Sequence, residues 1–310
     1  MKVEFVAFDS FGVKSSCTFV QTADIKICID PGIAWETGSF PLPFAQKALL
    51  DAKYTKAIKS ACKKSDAIII THYHYDHHLP RLDFYKGKNL FIKDPKKNIN
   101  KEQARRAQEL LAITKNKATI TIADGKTFKF KKTKIKFSKA VWHGVKGTKL
   151  GKVIMATIDD GKKKLLFSSD VDGPYTKENT NLIIKEKPDI LILDGHPTYL
   201  LGYIASFAFL KQVIKNTIKI LEKTRCELYI LDHHLLRDYR YKELYYEVYK
   251  RAKELNKKVM TAAEFLHKKP KVIEGYERYG PTRWKSWQPL TFKRLDEIIA
   301  HAKAVAKKKK

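Results

Sequence analysis

Residues 71–78 read Thr71-His72-Tyr73-His74-Tyr75-Asp76-His77-His78 and follow directly on the apolar run Ala67-Ile68-Ile69-Ile70. Imidazole nitrogens and a carboxylate at His-x-His-x-Asp-His spacing are ligands for zinc, iron or manganese. Along an extended segment alternate side chains point the same way, so His72 and His74 aim at one point. The turn that follows aims Asp76 and His77 at a second. Left unpaired at the mouth of a buried strand, such groups would be costly, so the cluster reads as a pair of metal sites rather than as packing. His78 reads as a hydrogen-bonding residue of the turn.

Further ligand-type residues sit where other strands should end. His143 follows Val141-Trp142, Asp170 follows Leu165-Leu166-Phe167-Ser168-Ser169, and His233 and His234 follow Leu228-Tyr229-Ile230-Leu231-Asp232. Asp172 competes with Asp170 for its place, and His234 with His233. His196, after the run ending in Asp194, is a pocket-lining candidate, as are His234 and Arg237. Asp30 and Asp194 are candidates for orienting ligand imidazoles. His267 and His301, in lysine-rich helical surroundings, read as surface residues.

The elements that must position these side chains follow from periodicity. Strand patterns at 2–8, 17–22 and 25–29 predict an antiparallel meander. A loop with Pro31, Pro41 and Pro43 leads to a helix over 44–63, and then the strand 67–70 delivers the histidines. A helix over 101–113 carries Ala104, Ala107 and Leu111 on one face. Short strands at 119–122, 127–131, 134–138, 152–158 and 164–167 predict a second meander. Thereafter helix and strand alternate: a helix over 177–187, strand 190–193, a helix carrying Ile204, Phe207, Ile214, Ile218 and Leu221, strand 228–231, and a helix carrying Leu244, Val248, Ala252 and Leu255. The expected class is α/β, with two meander-plus-helix halves stacked sheet on sheet and helices outermost. Residues 1–268 form this domain. Residues 269–310 are an aromatic and basic extension with an amphipathic helix over 292–305 and a lysine tail.

At 310 residues the chain can bury a full core. No stretch reaches the roughly 18 apolar residues of a membrane span, and residues 1–5 enter a strand pattern without a signal-peptide core, so a cytoplasmic protein with no membrane partner is expected. Cys17, Cys28, Cys62 and Cys226 are scattered and read as reduced core residues. The net charge of +29 invites a nucleic-acid partner. Against that, only 10 of the 62 basic residues are Arg, the residue that forks onto phosphate. A general lysine bias accounts for the charge equally well.

The order His-x-His-x-Asp-His, His, Asp, His resembles that of the metallo-β-lactamase superfamily. The Asp30-Pro31-Gly32 turn and the Ser168-Ser169-Asp170 string are similar to landmarks of that family, and Phe8-Asp9-Ser10-Phe11-Gly12 resembles an uncharacterised archaeal branch of it. The likeness covers roughly residues 1–268. It implies a four-layer αβ/βα sandwich of two stacked mixed sheets. It also implies a dinuclear centre, two zinc ions per chain with iron or manganese as substitutes: His72, His74 and His143 on one, Asp76, His77 and His233 on the other, Asp170 bridging. The implied activity is hydrolysis of an anionic ester or phosphodiester by a metal-bound hydroxide, with Asp76 and Asp170 in the catalytic centre. Two alternatives stand beside it. One is an RNA or DNA nuclease, favoured by the charge, by the His233-x-x-x-Arg237 string, which is similar to one in phosphodiesterase members, and by the aromatic-cationic run 278–287. The other is a non-hydrolytic nucleic-acid-binding or redox protein on the same scaffold.

Overall fold

The computed structural model describes residues 1–280 and 288–308. In its first sheet, β1 (Lys2–Phe8), β2 (Ser16–Gln21) and β3 (Lys26–Ile29) form the expected antiparallel meander. β4 (Ala67–Ile70), β5 (Asn89–Ile92) and β6 (Thr119–Ile122) extend it in parallel. The connections require this: α1 (Phe44–Lys64), α2 (Leu82–Tyr85) and α3 (Lys101–Thr114) each carry the chain back to the edge where the next strand begins. The second sheet begins with β7 (Thr127–Phe130) and β8 (Thr133–Phe137). A separate hairpin of β9 (Val141–Trp142) and β10 (Lys152–Val153) then intervenes, and β11 (Ala156–Asp159) and β12 (Lys164–Phe167) return to the antiparallel sheet. With α4 (Lys177–Glu186), α5 (Phe207–Lys223), α6 (Tyr241–Leu244) and α7 (Tyr246–Glu254) as crossovers, β13 (Ile190–Asp194), β14 (Leu228–Asp232) and β15 (Lys258–Met260) run parallel to β12.

Alternation along the strands makes the layers. Ile27, Ile29 and Ile69 face the second sheet and meet Ile135, Phe167, Ile192 and Ile230. Ile68 and Ile70 point the other way, onto Ile58 and Cys62 of α1 and Leu110 of α3. Leu191 and Leu193 likewise pack under Leu210 and Val213 of α5. Helix, sheet, sheet, helix is the four-layer order expected. Strands covered on both faces read as unbroken apolar runs, as 67–70 does.

Four expectations are corrected. Residues 119–122 pair with β5 at the edge of the first sheet, not with the second meander. The strand expected over 152–158 divides, because the Ile154 amide leaves the ladder to donate to the Thr71 carbonyl (3.1 Å) beside the histidine motif. The helix carrying Ile204 starts only at Phe207, capped by the Ser206 hydroxyl, and leaves Ile204 exposed. The helix through 244–255 is interrupted at Tyr245, whose hydroxyl accepts from the His196 amide (2.8 Å).

α8 (Ala262–Phe265), α9 (Lys271–Tyr279) and α10 (Phe292–Lys308) follow the second sheet. Leu290 and Leu295 join the core beneath α5, so the extension is packed onto the domain. Residues 281–287 of the aromatic-cationic run lie outside the described residues. All four cysteines are buried and free. No described helix is long and apolar enough to cross a membrane.

Gly32, after β3, ties the first strands to the motif loop. A Cβ there would stand 2.3 Å from the His77 and His78 amide nitrogens, which are backbone and cannot swing aside. Gly32→Ala is expected to cost roughly 1–3 kcal/mol in urea unfolding and to displace the histidine loop. An unchanged midpoint would show that the loop has slack.

Candidate metal centre

The residues singled out in the sequence converge at the carboxyl ends of β4, β12 and β14, with His143 arriving from the β9 end. Asp30, Ser169, Asp172 and His233 all have φ between 47° and 62°, left-handed backbone that non-glycine residues adopt at a cost. Four such residues, after strands of both sheets, mark where the fold spends stability to aim side chains. Gly144, at φ 78°, lets Asp172 approach: a Cβ would lie 2.3 Å from its Oδ2.

Two groups of nitrogen and oxygen atoms result. His72 Nε2 is 3.1 Å from His74 Nδ1, and both His72 Nε2 and His143 Nε2 are 3.4 Å from Asp170 Oδ2. His77 Nε2 is 3.3 Å from His233 Nε2, and these lie 2.9 and 3.3 Å from Asp170 Oδ1. Asp76 Oδ2 is 3.9 Å from His233 Nε2. Within the sets His72, His74, His143, Asp170 and Asp76, His77, His233 one atom per residue lies within 4.8 Å of the others. Asp170 thus turns one oxygen to each group.

No metal is part of the structure, so the fit rests on the donors. Both Asp170 oxygens and both His143 nitrogens are buried without a hydrogen-bond partner of good geometry. A carboxylate taken out of water unpaired is costly, and imidazole lone pairs facing one another gain nothing. A divalent cation among these atoms removes both penalties, and the set of imidazoles and carboxylates suits one.

Outer partners fix the rings. His77 Nδ1 donates to Asp30 Oδ2 (2.8 Å), and Asp30 also accepts from the Thr71 amide and hydroxyl. His233 Nδ1 donates to Asp9 Oδ2 (2.7 Å), and His234 Nδ1 to Asp194 Oδ1 (2.9 Å). The hydroxyls of Thr71 and Ser169 stand 3.3 Å from His72 Nδ1, and Asp172 Oδ2 is 3.6 Å from His143 Nδ1. A carboxylate holding the Nδ1 proton leaves the Nε2 lone pair facing inward.

The charges follow. Burial would depress His77, but Asp170 and Asp30 beside it raise it to about 10; burial likewise opposes His143, which Asp172 and Asp170 carry to about 10. Burial, with His143 nearby, takes His74 down to about 3. For Asp170 burial is overcome by His77, His233 and His72, which hold it well below the usual carboxylate range. Glu36, also buried with neither oxygen paired, is pushed by burial to about 8.

Of the pocket candidates, Arg237 donates through Nε to Asp9 Oδ1 (2.6 Å) and brings Nη2 to 3.5 Å from Asp76 Oδ2. His196 stands apart, its Nδ1 3.1 Å from the Asp172 carbonyl, and His78 turns to the His74 carbonyl. Sequence reasoning missed Asp9, Thr71, Ser169 and Gln103, the last with its carboxamide 3.5 Å from His74 Nε2.

The family described as Beta-lactamase superfamily domain matches residues 26–234. A UPF0282 protein of Korarchaeum cryptofilum is 38% identical over 288 residues, covering 90% of this chain and 95% of that protein. Another, of Sulfurisphaera tokodaii, is 40% identical over 285 residues, 90% and 92% of the two chains. Among solved structures, CmlA, a diiron beta-hydroxylase from Streptomyces venezuelae, superposes at a TM-score of 0.52 with 11% identity, over 80% of this chain and 51% of that one. That likeness is one of fold. With the two sheets, the convergent histidines and these relatives, the chain belongs to the metallo-β-lactamase superfamily, among its archaeal UPF0282 proteins.

Proposed function

We propose that the chain is a metal-dependent hydrolase in which His72, His74 and His143 hold one divalent ion, Asp76, His77 and His233 hold a second, and Asp170 bridges them. The observation that carries this reading is Asp170, buried, with Oδ2 toward one imidazole group, Oδ1 toward the other and no well-placed donor on either. Zinc is the first choice for this donor set, with iron and manganese as substitutes. Such ions supply Lewis acidity and a water acidified toward neutral pH, which is what ester hydrolysis needs.

The chain's own groups do the rest. Asp9 and Asp30 hold the Nδ1 protons of His233 and His77, so both rings keep their orientation through a turnover. Two divalent charges against Asp76 and Asp170 leave about +2, with Arg237 at the rim balanced by Asp9, so the site favours an anionic ester or phosphodiester. His233 is preferred to His234 as ligand because His234 is held on Asp194, outside the Asp76–His77 group. A nuclease is the narrower reading of the same chemistry, favoured by the net charge of +29.

Purified protein should carry close to two ions per chain, and His74→Ala should lose most of one. Both proteins are assayed on a phosphodiester, a lactone, a thioester and labelled RNA. One ester class hydrolysed by the parent and at least 100-fold slower in the variant is the expected result. Metal content below one per chain in the parent, or activity that survives His74→Ala, sinks the reading.

A further inference from the structure

Beside the centre, on the far side of Arg237, lies a cavity of about 660 Å³. That is the size of a small organic ligand. Among the described residues its walls are the 38–43 loop, with Phe40 and Leu42, the tyrosines Tyr199 and Tyr279, Tyr276 stacked on Tyr239 (ring centroids 3.5 Å apart), Arg237, and Arg240 paired with Asp238. α9 is held against the loop closely enough that a Cβ on Gly275 would stand 2.2 Å from the Pro41 carbonyl, so this wall is fixed.

Arg237 joins the cavity to the candidate centre. Its side chain is 7% exposed and its Nε–H is committed to Asp9. Its two Nη groups make only long contacts, 3.4 Å to the Tyr199 hydroxyl and 3.5 Å to Asp76 Oδ2. A guanidinium with donor capacity left on both Nη groups is a fork for an anionic oxygen pair. An anion held there has Tyr199 beside it. Tyrosine faces stack on flat rings of any type.

We propose that this cavity is a nucleotide subsite: it takes the planar base of a nucleotide phosphodiester whose phosphate lies on Arg237 toward the imidazole groups. The inference rests on the hydrolase reading for its chemistry, and its binding half is measurable without turnover. The base stacks at Tyr199, the phosphate is read by geometry and charge, and the sequence of a longer chain is not read.

The test is calorimetric titration of the full, metal-loaded chain with adenosine 5′-monophosphate, ribose 5-phosphate and inorganic phosphate, and with a short oligonucleotide to separate free nucleotide from chain. The nucleotide should bind about tenfold tighter than ribose 5-phosphate. Tyr199→Ala should reduce that preference to about twofold or less, while Tyr203→Ala, on the exposed neighbouring turn, keeps it. Equal affinity for nucleotide and ribose phosphate in the parent, or a preference that survives Tyr199→Ala, overturns the subsite. Hydrolysis of bis(p-nitrophenyl) phosphate is followed in the same preparations. Activity without base preference removes the subsite and leaves the hydrolase reading; base preference without hydrolysis of any ester does the reverse.

Discussion

Asp170→Ala is expected to empty both halves of the candidate centre at once. Elemental analysis should fall from close to two divalent ions per chain to below about 0.5, and ester hydrolysis to background. The expectation comes from the two oxygens facing opposite ways, Oδ2 at 3.4 Å from His72 and His143 and Oδ1 at 2.9 and 3.3 Å from His77 and His233. A ligand serving one ion takes that ion with it, whereas a shared ligand also removes the charge that lets two cations sit near each other. Loss of an outer-shell partner alone typically weakens metal affinity 10–100-fold, and loss of a bridging carboxylate should exceed that twice over. Asp76→Ala is the control: Asp76 belongs to one group only, so one ion should remain. Retention of a full equivalent by Asp170→Ala, in protein with parental circular dichroism, would show that the bridge is wrongly assigned.

The contrast between those two carboxylates was readable in the chain only in part. The string at 72–77 is compact because a single strand end and its turn carry it, so spacing alone assigns its two aims. Asp170 and His233 follow apolar runs whose ends a parallel sheet brings to one edge, which periodicity can see, whereas His143 comes from the separate β9–β10 hairpin. The outer partners are different in kind. Asp9 meets His233 across 224 positions, and nothing local in Phe8-Asp9-Ser10 separates it from a turn aspartate. Gln103 was hidden for another reason: of the expected α3 face Ala104, Ala107 and Leu111, Ala107 is buried and Leu111 packs against the same core, but the polar Gln103 and Thr114 are buried beside them with Leu110. The helix turns a polar residue inward because Gln103 accepts the Tyr73 amide and donates to the Leu150 carbonyl beside His74. Tertiary demand at the site overrode the apolar pattern there.

Asp9 also carries the second large expected effect, this one on stability. It is fully buried on the turn after β1, where Oδ1 takes the Arg237 Nε–H at 2.6 Å and Oδ2 takes His233 Nδ1 at 2.7 Å and the Ser15 amide at 3.1 Å. Burial works to raise its carboxyl, but Arg237 and His233 beside it hold it well below the usual carboxylate range. Removing one partner of a buried pair strands the other charge, at a cost of about 3–5 kcal/mol. Asp9→Ala should therefore lose that much in urea unfolding of the metal-free chain, and Asp9→Ala with Arg237→Met should recover part of it, since the buried guanidinium is then gone and His233 keeps Asp170 beside it. The sign with pH is fixed by the lowered value. The folded state binds fewer protons at Asp9 than the unfolded chain does, so its contribution is whole above about pH 4 and fades as the pH falls through the folded value. The parent-minus-variant difference should accordingly shrink as the pH is lowered below about 4. A loss below about 1 kcal/mol, or a double variant no better than the single, would mean that Arg237 finds other acceptors when Asp9 is gone, with Asp76 at 3.5 Å the nearest to hand. In that event Asp76 would be drawn from the second group toward Arg237, and the Asp9→Ala chain should hold one ion rather than two.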